Sequence, residues 1–76
     1  MTVQSLSNID LLEEIKRRQQ NDSYFAQELK KAVLGEIESY VRDLIKKILE
    51  NAGVQWASHK INQATNWVME QLKKWL

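Results

Sequence analysis

Residues 21–53 read NDSYFAQELKKAVLGEIESYVRDLIKKILENAG, and the fold turns on this stretch. Ala26, Leu29, Val33, Ile37, Tyr40, Leu44 and Ile48 recur at steps of three and four, the period that lines side chains along one face of an α-helix. A second seam of Leu34, Ile37, Val41, Leu44 and Ile48 overlaps the first with heptad spacing, and Ile45 and Leu49 widen the apolar face further. One neighbouring helix cannot cover so broad a face. Asn21 or Asp22 can cap the start, and Asn51-Ala52-Gly53 reads as a C-terminal cap with Gly53 left-handed behind Lys46 and Lys47. The pattern predicts one long helix over residues 23–51, roughly 42 Å long at 1.5 Å per residue. Gly35 interrupts it at a cost of about 1 kcal/mol relative to alanine. We keep it inside a single helix, as a tolerated or slightly kinked glycine. The alternatives are a close helix approach at that point or a break into two helices.

Before this stretch, Ser7 is placed to cap a first helix over residues 7–20, with Asp10 at the third position and Leu6 and Leu11 forming a hydrophobic staple. Leu11, Leu12 and Ile15 give it one apolar stripe, and Glu13 with Arg17 and Glu14 with Arg18 are pairs four residues apart. The polar run from Gln19 to Ser23 is the turn that ends it, although a helix continuing through that run is the other reading. After Gly53, a third helix over residues 54–75 carries Val54, Ala57, Ile61, Ala64, Val68, Leu72 and Trp75 on one stripe. Ser58, Asn62, Asn66 and Glu70 form its solvated face. The expected fold is all-α: a small three-helix bundle of one domain, residues 1–76, with a long central helix and an antiparallel C-terminal helical hairpin. The first helix folds back on the N-terminal half of the second.

Composition bounds the chemistry. With 76 residues the chain has one small core, and such domains are marginally stable alone. There is no cysteine and one histidine, His59, so disulfides and a cysteine-based metal site are unavailable as staples. Eleven basic residues stand against ten acidic ones, too even a balance for a protein built around a phosphate backbone. The most basic segment is residues 52–76, where Lys60, Lys73 and Lys74 face Glu70 alone. No nucleophile has a base and an orienting partner at a recognisable spacing, and no glycine-rich phosphate loop occurs. The expectation is a protein that is not an enzyme and has no cofactor and no metal. The segment after Met1 lacks both the basic and the apolar region of a signal peptide. No uncharged stretch near the C-terminus approaches the ~20 apolar residues of a membrane span. A cytoplasmic location is expected.

Binding is what remains. The second helix is longer than its covers, so an exposed strip is expected, and self-association into a homodimer or larger helical bundle would bury it. The surface expected to carry this is Leu34, Ile37, Val41, Leu44 and Ile48, with Trp56, Lys60 and Trp67 on the third helix either completing the core or facing a partner. The leading functional reading is a non-enzymatic adaptor, regulator or assembly module working through helix-to-helix contacts with itself or another protein. A second reading makes the tryptophan- and lysine-bearing third helix a membrane-surface element. A third gives Lys16-Arg17-Arg18 a role on nucleic acid, opposed by the adjacent Glu13 and Glu14.

Overall fold

The computed structural model of the chain describes residues 6–76; residues 1–5, where the signal-peptide reading begins, lie outside the described residues. The described chain is all-helical and forms α1 (Asn8–Asn21), α2 (Ser23–Leu34), α3 (Glu38–Ala52) and α4 (Ser58–Trp75). At the head of α1, Ser7 Oγ accepts the Asp10 N–H at 3.1 Å and the Asp10 carboxylate accepts the Ser7 N–H at 2.9 Å. This is the expected reciprocal cap, with aspartate in the usual glutamate position. Leu6 packs against the core to which Leu11 belongs. Asp22 then ends α1 with extended backbone, and its carboxylate accepts the Phe25 N–H at 3.1 Å. A single residue therefore separates two helices and caps the second.

The expected long helix over residues 23–51 is two helices, so the three-helix expectation is corrected to four. α2 stops at Leu34. Beyond it the Ile37 N–H donates to the Ala32 carbonyl at 2.8 Å and the Glu36 N–H to the Val33 carbonyl at 3.1 Å, the bond pair of a Schellman turn. The left-handed position of that turn is filled by Glu36, with φ of 56°, while Gly35 precedes it at φ −85°. Gly35 instead answers to space: a Cβ there would come within 3.0 Å of the Lys31 carbonyl oxygen. The same bond pair closes α3, where Val54 N–H donates to Leu49 at 2.9 Å and Gly53 N–H to Glu50 at 3.1 Å. Here glycine itself takes the left-handed position, φ 71°. The last helix starts four residues later than expected, because residues 54–57 form an extended link in which Val54 is buried and Ala57 offers no side-chain cap.

Contacts at the helix ends give the topology. α3 and α4 form an antiparallel hairpin: Leu49, Val54 and Ile61 meet at one end, and Lys73 bonds Glu36 at the other. α1 runs antiparallel to α3 across a cleft that has Leu6 beside Ala52 at one end and Arg18 beside Leu44 and Lys47 at the other. α2 connects the C-terminal end of α1 to the Glu36 corner, so it crosses one end of the other three. The whole measures 34 × 26 × 18 Å.

Every helix contributes to one core, with Leu11, Ile15, Leu29, Val33, Val41, Ile45, Val68 and Leu72 fully buried. Each such side chain contributes about 1.5–3 kcal/mol relative to exposure. Thr65 is buried among them and donates its hydroxyl to the Ile61 carbonyl at 2.8 Å, which removes the penalty of an unpaired polar group. At Gly53 nothing lies within 4 Å of an added Cβ, so substitution there tests backbone conformation alone. Gly53→Ala is expected to cost about 1–2 kcal/mol, the left-handed penalty of an L-residue, and to lower the melting temperature by several degrees. Gly53→Asn is expected to lose less, and paired urea unfolding curves measure both.

Candidate interaction surface

The eight residues expected to form an interaction surface fall into three groups. Val41, Leu44 and Ile48 lie on α3 and are buried in the intramolecular core, at 0%, 8% and 6% exposure. Leu34 and Ile37 stand in solvent at 63% and 50%. The turn at residues 35–37 causes the division: it re-aims the chain so that α3 turns its seam inward, while the last residue of α2 and the link residue point out. A continuous strip of all five is therefore not presented. Tyr24, at 72% exposure, joins Leu34 on the outer side of α2. The apolar stripe read from the sequence passes over Tyr24.

Trp56, Lys60 and Trp67 are divided as well. Trp56 lies in the link before α4, with the Lys60 ammonium 4.2 Å from its ring centroid, close enough for cation–π attraction. Trp56 and Trp67 are both half-buried and pack against the core. Trp75, assigned from the sequence to the buried stripe of the last helix, is 43% exposed. It is the final residue of α4, where the neighbouring helices no longer cover it, and the Lys16 ammonium sits 5.1 Å from its ring.

Four ion pairs join charged groups among the described residues. Glu14 accepts from Arg17 at 2.6 Å and from Arg18 at 3.0 Å, which replaces the expected separate pairing of Glu13 with Arg17. Hydrogen bonding from Arg17, partly offset by burial and reinforced by Arg18, holds the Glu14 carboxyl below its ordinary value of 4.5. Glu36 is held low by its bond to Lys73 at 2.9 Å. Burial pushes the Tyr40 phenol up, with further contributions from Glu28 and Tyr24.

Two open clefts flank Arg18. One, of about 460 Å³, lies between Leu6, Asp10 and Glu14 of the N-terminal side and Ile48, Asn51 and Ala52 of α3. The other, of about 410 Å³, is lined by Phe25, Tyr40, Asp43, Leu44 and Lys47. Neither brings together a nucleophile, a base and an oxyanion donor. Among the described residues no three His, Asp or Glu side chains converge as a metal site, and no helix is long and apolar enough to cross a membrane.

Comparison with known protein families, with curated proteins and with solved structures finds no match to this chain.

Glu14 and Glu36 both have depressed carboxyl values, so each favours the folded state above the ordinary carboxylate range and loses that contribution as pH falls through its folded value. Stability is expected to decline below about pH 4.5. Glu14→Gln should flatten part of that acid limb while costing only ~0.2–1 kcal/mol at neutral pH, as for surface pairs generally. Thermal unfolding across pH 3–7 of wild type and variant checks this.

Proposed function

We propose that the protein is a non-enzymatic helical interaction module that associates with itself. The observation that carries this reading is the placement of Tyr24, Leu34 and Ile37, three of the five exposed large hydrophobic side chains among the described residues, on the outer side of α2 and its C-terminal corner. Single exposed apolar residues are ordinary, whereas several on one side of a helix make a candidate contact surface, here with Tyr24 about 15 Å along α2 from the corner that holds Leu34 and Ile37. The remaining two stand on other elements: Ile9 on α1, and Trp75 at the end of α4 beside the Lys16 ammonium.

The membrane-surface alternative needs an amphipathic helix with a free apolar face. α4 spends that face on the core through Ile61, Ala64, Val68, Met69 and Leu72, and its outer face carries Ser58, Asn62, Asn66 and Glu70. Trp56 precedes and Trp75 ends a helix of 18 residues, so the two lie at opposite ends of roughly 27 Å of axis. The nucleic-acid alternative needs free cations, yet Arg17 and Arg18 are bound to Glu14 and Lys16 lies over Trp75. Both observations favour protein contact.

Light scattering coupled to size exclusion, over about 1–100 µM, should show a mass that rises with concentration, as micromolar association requires. Leu34→Glu should leave the helix content intact and hold the mass at that of a monomer. Val41→Glu, placing a charge at a fully buried position, should unfold the chain instead of dissociating it. A wild-type monomer at every concentration, or a blue shift of tryptophan emission on adding anionic vesicles, would favour the other readings.

A further inference from the structure

Resting on that self-association reading, we infer that the partner is a second copy of this chain docked through α2, the two α2 helices antiparallel about a two-fold axis between Gln27 and Lys31. Tyr24, Gln27, Lys31 and Leu34 follow one another at steps of three, four and three, and all four are exposed. Such spacing forms a single seam along a helix. The seam reads apolar, polar, polar, apolar, so it is the same in character from either end. Turned antiparallel, it sets Tyr24 against the partner's Leu34, with the partner's Ile37 alongside, and Gln27 against the partner's Lys31. A parallel pairing would instead stack Lys31 on the partner's Lys31.

The amide oxygen of Gln27 can accept from the partner's ammonium, so the polar centre of the seam is complementary as well as its apolar ends. Glu28, 3.8 Å from Lys31 in its own chain, and Lys30 lie on the two flanks, where solvent screens them. Because the same patch is used on both copies, the contact closes at a dimer and does not propagate. Its extent is small. The ten helical steps from Tyr24 to Leu34 span about 15 Å, and such a seam with Ile37 falls short of the roughly 800 Å² per partner of a standard stable interface. The dimer is accordingly a reversible one that forms as concentration rises.

The chain contains no cysteine, so introduced thiols report on this contact without background. Gln27→Cys and Lys31→Cys chains are prepared separately, mixed in equal amounts at a concentration where wild type is dimeric, and oxidised. The expected product is the mixed disulfide in excess of the one half that random pairing gives, since only the antiparallel register brings these Cβ atoms within bonding range. Tyr24→Ala is expected to weaken wild-type association roughly tenfold, as loss of an aromatic anchor does, with an unchanged circular dichroism spectrum. If wild type dimerises while the mixed Gln27→Cys and Lys31→Cys chains cross-link at random, preferentially like to like, or not at all, the α2 geometry is overturned and self-association left standing. A wild-type monomer throughout would overturn both.

Discussion

Two backbone hydrogen bonds across residues 32–37 determine how everything else in this molecule is arranged. They stop α2 after Leu34 and let α3 start in a new direction at Glu38. A continuous helix through this region would stand beyond the shorter helices beside it and leave a broad apolar face wet. Broken here, the same residues become two helices of ordinary length. One lies across the end of the bundle, and the other pairs antiparallel with α4. The cost is a glutamate in left-handed backbone, a conformation that penalises an L-residue by roughly 1–2 kcal/mol. Its carboxylate reaches Lys73 on α4, so the strained residue is also the one that ties the corner to the last helix.

This explains which parts of the fold were legible in the sequence. Ser7 with Asp10, Asp22 and Gly53 act on backbone groups a few residues away, and such local bonds leave a direct mark in residue type and spacing. The break at residues 35–37 leaves almost none. The three-residue turn preserves the step of four from Val33 through Ile37 to Val41, so the hydrophobic period runs across it without a phase change. Glutamate, not glycine, fills the left-handed site, and Gly35, the cap residue itself, sits one position before it. The contact that secures the turn comes from Lys73, 37 residues away, beyond what a local pattern can register. The late start of α4 was hidden in a similar way, since Val54 continues the apolar stripe while belonging to an extended link.

The candidate surface was legible only at its edge. Leu34 and Ile37 stand out in both the sequence and the structure, but the seam that linked them to Val41, Leu44 and Ile48 described two different environments in one period. Periodicity reports which residues share a face of a helix; whether that face is covered depends on where the helix ends. Tyr24 illustrates the complement of this point. It lies off the apolar stripe of α2, and only the placement of α2 across the end of the bundle shows that it shares an exposed side with Leu34. Trp75 lost its expected burial because it comes at the last turn of α4, where cover runs out and the Lys16 side chain substitutes for it.

The proposed self-association would be linked to stability through the same corner. A chain of 76 residues without cysteine has little margin, and it carries a left-handed glutamate and two helices, α3 and α4, whose first turns lack side-chain caps. The turn that organises the core leaves Leu34 and Ile37 outside it, because α2 and α3 diverge there and the contact from α4, Lys73 to Glu36, does not cover them. Contact with another molecule at that bend would withdraw apolar surface from water where the monomer cannot. By mass action it would also add to the stability of the folded state, since the unfolded chain presents no such face. The exposed corner is thus a consequence of how the core is closed, and binding at it would offset part of what closing the core costs.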